Sequence, residues 1–251
     1  MPPSVPRGQG YLRASRAPRY SLLFALPLLL GYEALAIALP VRETQGVRNG
    51  AEVILRTAFD MVAGQWGNVA FGAVVLGISA WLLARDVKAN GAPSRRRFFL
   101  FMMMESVALA AVFALTASLI TARVLGALHL SALANVNGID APTRLMVSLG
   151  AGVFEELLFR VVLVTALIGG GRTVLGLGPR AAAGAAIVLS ALIFSAFHYI
   201  GPFGDKLELP SFLFRAVGGL LFSAIYVLRG FGIVAWTHAL YDVGLLLLVG
   251  S

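Results

Sequence analysis

The run Ala151-Gly152-Val153-Phe154-Glu155-Glu156-Leu157-Leu158-Phe159-Arg160 constrains this chain more than any other stretch. Two adjacent carboxylates and a guanidinium sit inside residues 143–168, a segment otherwise nearly all apolar and long enough to cross a bilayer. Charged side chains at membrane depth cost about 2.5–3.5 kcal/mol each on insertion scales, so they mark a buried pair or a working site. Helical spacing separates those two jobs. Glu156 and Arg160 are four apart on one face, with the acid N-terminal to the base, the better order for an ion pair. Glu155 points roughly 100° away around an α-helix and does not easily join that pair. It is the carboxylate left without a structural explanation.

Composition agrees with a bilayer as the solvent. The chain is 59% hydrophobic and 13% charged, with a mean hydropathy of +0.85, against about 25% charged residues in soluble domains. This predicts an all-α, polytopic transmembrane helix bundle. The absence of cysteine excludes a disulfide framework, a thiolate zinc site and a cysteine nucleophile. A formal charge of +8 would suggest nucleic acid as partner of a soluble domain. Here its distribution among loops reads as a topology signal, with the lipid bilayer as the partner and no nucleic acid.

In chain order, 1–19 reads as a disordered, basic, cytoplasmic tail carrying Arg7, Arg13, Arg16 and Arg19. Spans are expected at 20–39, with Glu33 inside, at 67–84, and at 98–122, with Glu105 inside. Between the first two, Val53, Ile54, Leu55, Ala58, Phe59, Met61 and Val62 suggest a short amphipathic interfacial helix. A linker with His129, expected to be interfacial, and the turn Asn135-Val136-Asn137-Gly138 leads to the span at 143–168. Further spans follow at 181–200, 211–228 and 231–249, giving about seven in all. The basic tail and the loop with Arg85, Lys88, Arg95, Arg96 and Arg97 fall on one side, which predicts an inside N-terminus and an outside C-terminus. The expected organisation is a tail, an accessory unit of three helices with the interfacial segment over 20–142, and a four-helix catalytic core over 143–251. There is no internal repeat of the kind that builds paired-half transporters.

Two further polar clusters lie at depth. Phe194-Ser195-Ala196-Phe197-His198 closes the fifth span, and His238-Ala239-Leu240-Tyr241-Asp242 lies in the middle of the seventh. Within each, the first and last residues share a helical face. Three helices each contributing a titratable cluster avoid separate burial penalties only by meeting in one polar pocket. In order and spacing, Glu155-Glu156-x-x-x-Arg160, Phe194-x-x-x-His198 and His238-x-x-x-Asp242 resemble the three-motif signature of the CPBP intramembrane protease family. That family includes the CAAX prenyl endopeptidases and bacterial relatives. The resemblance covers roughly residues 143–249 and implies an endopeptidase acting on a membrane-anchored protein or peptide in the bacterial inner membrane. It implies that Glu155 and His198 hold and deprotonate a water, and that His238 and the residue at 242 stabilise the oxyanion. Glu156 and Arg160 are the structural pair, and Phe194 is a packing residue of its motif.

One departure bears on mechanism. The family's third motif often ends in Asn, whereas this chain has Asp242, which when ionised is acceptor-only. Asp242 is compatible with catalysis if kept protonated, if it orients His238, or if the site binds a metal. No cofactor is expected on the metal-free reading; zinc, held by Glu155, His198, His238 and Asp242, is the alternative. Other classes are a non-catalytic immunity or scaffold relative and a proton-coupled carrier using Glu and His as a relay. With the predicted topology the pocket faces the outer leaflet, which suits trimming near a C-terminal membrane anchor better than cytoplasmic prenylated CAAX substrates. No feature of the sequence sets an oligomeric state. Of the remaining polar residues, Glu33 and Glu105 are expected to make structural hydrogen bonds or to pair with Arg160 or Arg215. Arg215 is expected to snorkel, Met102-Met103-Met104 to face lipid, and Tyr199, Tyr241 and Trp236 to pack or line the pocket.

Overall fold

A computed structural model describes residues 10–39, 48–92, 95–125, 140–201 and 204–249. His129, the turn at 135–138 and the tail up to residue 9 lie outside them. Every element among the described residues is helical. A single turn, α1 (Tyr11–Ala14), precedes α2 (Pro18–Ala38), which starts on a proline, where a missing N–H is harmless. Asn49 caps α3 (Gly50–Ala63), and a tight turn at Gly64–Trp66 leads into α4 (Gly67–Asn90). After α5 (Arg97–Leu125), Asp140 caps α6 (Ala141–Gly150) by accepting from the Thr143 N–H. The Thr143 hydroxyl bond also holds the exposed Asp140 carboxyl below its ordinary range. α6 runs without a break through two π-helical stretches, Ala151–Glu155 and Leu157–Val164, into α7 (Thr165–Thr173). The chain ends with α8 (Pro179–Phe197), α9 (Leu209–Arg229) and α10 (Phe231–Val249).

Five stretches are long and apolar enough to cross a bilayer: Pro18–Ala38, Gly50–Asn90, Arg97–Leu125, Pro179–Phe197 and Leu209–Arg229, and Phe231–Leu247 is a shorter apolar helix. The span expected at 143–168 is the composite rod of α6, the π stretches and α7, which is continuous but is not one regular α-helix. Leu30, Ile37, Leu76, Val107, Leu115 and Leu119 point outward and are exposed, as lipid-facing residues should be. The protein is an integral, multi-pass membrane protein.

Three expectations for the N-terminal half need correction. From Tyr11 onward the segment read as a disordered tail is folded, because its charges and rings find partners that composition does not reveal. Tyr11 packs edge-on against Phe98 with ring centroids 5.4 Å apart, and Arg19 is 5% exposed with Nη1 3.0 Å from Asp86. Arg229 donates to Glu105, to the Ser15 hydroxyl at 2.9 Å and to the Leu12 carbonyl at 3.1 Å. Glu105 therefore pairs with Arg229, and Glu33 with Arg48 and Arg56 at 3.9 and 3.6 Å, not with Arg160 or Arg215. The methionine triplet also divides: Met102 is fully buried on Ile233 and Phe98, while Met104 is exposed. The contacts of Arg19 with Asp86, Tyr20 with Arg95 and Arg229 with Glu105 bring the start of α2, end of α4, start of α5 and end of α9 to one end of the bundle.

Helix–helix contact relies on small residues, since lipid supplies no hydrophobic drive between apolar helices. A Cβ on Gly152 would lie 2.4 Å from the Ala235 carbonyl oxygen and 2.8 Å from the Ala239 Cβ, so the first π stretch rests directly on α10. Gly219 sits against Ala191 on α8 and Gly232 against Ser21 on α2 in the same way. Hydroxyls stitch the same seams, Ser190 to the Phe159 carbonyl at 3.0 Å and Ser195 to the Phe212 carbonyl at 2.7 Å. Gly152→Ala is expected to destabilise the bundle by about 1–3 kcal/mol through overpacking. Gly72→Ala, at a helical position with open space around it, is expected to be neutral or stabilising. Thermal unfolding of both variants in one detergent checks the contrast.

Candidate functional site

The site begins with the backbone of the composite rod. A π turn bonds i to i+5 and is wider than an α turn, so successive residues diverge by a smaller angle, and such turns occur frequently at functional sites. Glu155 and Glu156, expected to point well apart, nevertheless both face the imidazole of His238 on α10. Glu156 is fully buried; its Oε1 lies 3.2 Å from Arg160 Nη1 and 2.7 Å from His238 Nδ1. The carboxylate can only accept, so Nδ1 of His238 carries a hydrogen and Nε2 is turned toward the pocket.

Arg160 is 1% exposed and enclosed by aromatic faces. Its guanidinium carbon is 4.5 Å from the Phe194 ring centroid and 5.4 Å from that of Phe222, a cation–π cage. Phe194 in turn meets His198 edge-on at 4.8 Å, and Phe222 stacks on His238 at 4.3 Å. The motif phenylalanine thus links the structural arginine to one imidazole, and Phe222 links it to the other.

Glu155 is 6% exposed. Its Oε1 accepts from Asn49 Nδ2 at 2.9 Å. Its Oε2 lies 3.9 Å from Nε2 of both His198 and His238, and although buried it has no hydrogen-bond partner. His198 follows the last turn of α8, and its Nδ1 is 2.8 Å from the Phe194 carbonyl. A carbonyl only accepts, so Nδ1 carries the hydrogen and the Nε2 lone pair faces Glu155. Asp242 Oδ2 lies 3.6 Å from His238 Nε2. Glu155, Glu156, Arg160, Phe194, His198, His238 and Asp242 are therefore gathered in one pocket. No group of three or more His, Asp or Glu side chains that could hold a metal ion occurs among the described residues.

Two neighbours were not singled out as site residues from the sequence. Asn49 belongs to the first loop; its place ahead of Gly50-Ala51-Glu52 is a legible helix-start pattern, but nothing in the pattern points to Glu155. Arg215, expected to snorkel, is instead 8% exposed, paired with Asp205 and lying over the Tyr199 ring. Its charge is within electrostatic reach of His198 and Asp242. Tyr241 and Trp236 pack on Phe113 and Phe24. An apolar cavity of about 340 Å³ lined by Leu23, Phe24, Pro27, Phe99, Met103 and Trp236 contains none of the site's acids or imidazoles.

Fold and site together define a polytopic membrane protein with a carboxylate set between two imidazoles inside its helix bundle. A family model described as Rce1-like, type II CAAX prenyl endopeptidase Rce1-like, matches residues 136–244, a stretch that holds all three motifs. The match supports the CPBP/CAAX family, a protease family, for this part of the chain. No curated protein and no solved structure matches.

Burial and pairing divide the two glutamates by their effect on stability. Removing one partner of a buried pair leaves an uncompensated charge, which costs about 3–5 kcal/mol. Arg160→Met is therefore expected to lower the melting temperature sharply. Glu155→Gln, which relieves a buried oxygen without a partner, is expected to leave it unchanged or raise it. Paired thermal melts of the purified variants measure this.

Proposed function

We propose that this chain is an intramembrane endopeptidase that hydrolyses a peptide bond near the membrane-anchored C-terminal end of a protein substrate. The observation that carries the reading is the buried Glu155 Oε2, bonded to nothing and 3.9 Å from two imidazole Nε2 atoms. That separation is too long for a direct hydrogen bond and suits a bridging water. A water between Glu155 Oε2 and His198 Nε2 would donate to both, since His198 Nε2 is an acceptor in the tautomer that Phe194 selects. As its oxygen attacks the scissile carbonyl, one proton passes to Glu155, which later delivers it to the leaving amine. His238, as an imidazolium with Nδ1–H on Glu156, would offer Nε2–H to the developing oxyanion. Asp242, 3.6 Å from that nitrogen, serves as orienter and counter-ion and need not donate.

The positive-inside pattern supports an inner-membrane protein with a cytoplasmic N-terminus. The pocket then lies toward the outer leaflet, at the end of the bundle opposite the contacts of Arg19 and Arg229. Anchored proteins trimmed on the outer side fit this better than prenylated cytoplasmic ones.

The test is cleavage of C-terminal anchor peptides and a prenylated peptide by the purified protein in detergent. Glu155→Gln and His198→Ala are each expected to lower kcat by about 10²–10⁴-fold, and a chelator is expected to leave wild-type cleavage unchanged. Chelator loss with zinc rescue would transfer the role of Glu155, His198, His238 and Asp242 to metal ligation. Equal cleavage by wild type and both variants would remove the proposed site.

A further inference from the structure

Asn49 lies outside the residues that match the protease family and more than a hundred positions before its partner Glu155. It is 2% exposed, and every polar group of its side chain is used. Oδ1 accepts from the backbone N–H groups of Ala51 at 3.0 Å and Glu52 at 3.4 Å, capping α3, and Nδ2 donates to Glu155 Oε1 at 2.9 Å. This bonding fixes the amide's orientation. Flipped, its NH2 would face two N–H donors and its oxygen would face a carboxylate. One face of Asn49 is thus committed to a helix start and the other to the carboxylate of the pocket.

Around it, α3 is anchored from below. The Tyr32 hydroxyl donates to Glu52, Arg56 Nε donates to the same carboxylate at 2.6 Å, and Gly150 packs against Tyr32 and Asn49 so closely that a Cβ there would lie 2.6 Å from the Tyr32 ring. The opposite side of α3 is open, with Val53, Ile54, Met61 and Val62 exposed. α3 therefore reaches Glu155 through one side chain at its start.

We infer that Asn49 is a positioning residue for Glu155. By holding Oε1, it turns Oε2 toward His198 and His238 and makes the geometry of the pocket depend on the seating of α3. The inference rests on the reading of Glu155 as the water-activating base, and its test carries one readout that needs no substrate.

Asn49→Ser and Asn49→Thr both retain a helix cap, but their shorter side chains carry no amide to donate to Glu155. Both are expected to melt like wild type and to lower kcat about ten- to hundredfold on the anchor peptide that wild type cleaves, with KM little changed. That is the loss expected when a hydrogen bond to a charged group is removed. In parallel, infrared difference spectra between each protein and its own Glu155→Gln derivative isolate the Glu155 carboxyl band, which is expected to shift in both Asn49 variants. A band that stays in place in both overturns the inference whatever the rates. So does a fall in kcat accompanied by an equal fall in stability in both. Absence of cleavage by wild type would count against the protease reading alone, because the infrared band is read on the protein by itself.

Discussion

The buried contact of Glu156 with Arg160 and His238 is the interaction on which the centre of this protein depends. A buried carboxylate in an apolar bundle leans on its charged and hydrogen-bonding partners, and here one oxygen faces both a guanidinium and an imidazole N–H. Because the arginine is on the same helix and the histidine on another, the contact joins the composite rod to α10. The aromatic cage of Phe194 and Phe222 extends it to α8 and α9, so a single charge cluster fixes all the helices that carry the motifs. Glu155 can then remain under-coordinated, since its neighbours hold the scaffold in its place.

Close approach is the second requirement. Side chains of ordinary length at 152, 219 and 232 would hold the helices apart and take the imidazoles out of reach of the acids. The glycines at these seams set distances, and the serine-to-carbonyl bonds beside them set rotation. With the rod seated on α10, both carboxylates come within reach of one histidine.

Much of this was legible in the sequence, for reasons that differ from residue to residue. The helical class and the spans follow from long apolar runs, and the gathering of Glu155, His198 and His238 follows from the cost of burying each alone. The Glu156–Arg160 spacing could be read because it lies within one turn. The approach of Glu155 to the same histidine as Glu156 could not, because it depends on how the rod seats against α10, which no spacing within the rod records. The partners of Glu33, Glu105 and Arg215 were misassigned because an acid and a base far apart in the chain carry no record of each other. Asn49 was not singled out from the sequence at all; its bond to Glu155 is a tertiary fact. The tail was misread from Tyr11 on because a Pro, Gly and Arg composition does not show that Asp86 and Glu105 wait for its contacts.

The division of partners among helices has a consequence for how such a chain is made. During synthesis the rod with Glu155, Glu156 and Arg160 enters the membrane before α10 has left the ribosome. Its acid and its base are four residues apart, so the pair can neutralise itself within one helix and cross the insertion machinery without help. His238 and Asp242 arrive last, together with the turn that Arg229 fastens to the N-terminal segment. The pocket is therefore completed by the final helix, and a nascent or truncated chain holds its carboxylates without the second imidazole. Assembly order alone leaves the acids of an unfinished chain without the imidazole that they face in the folded bundle.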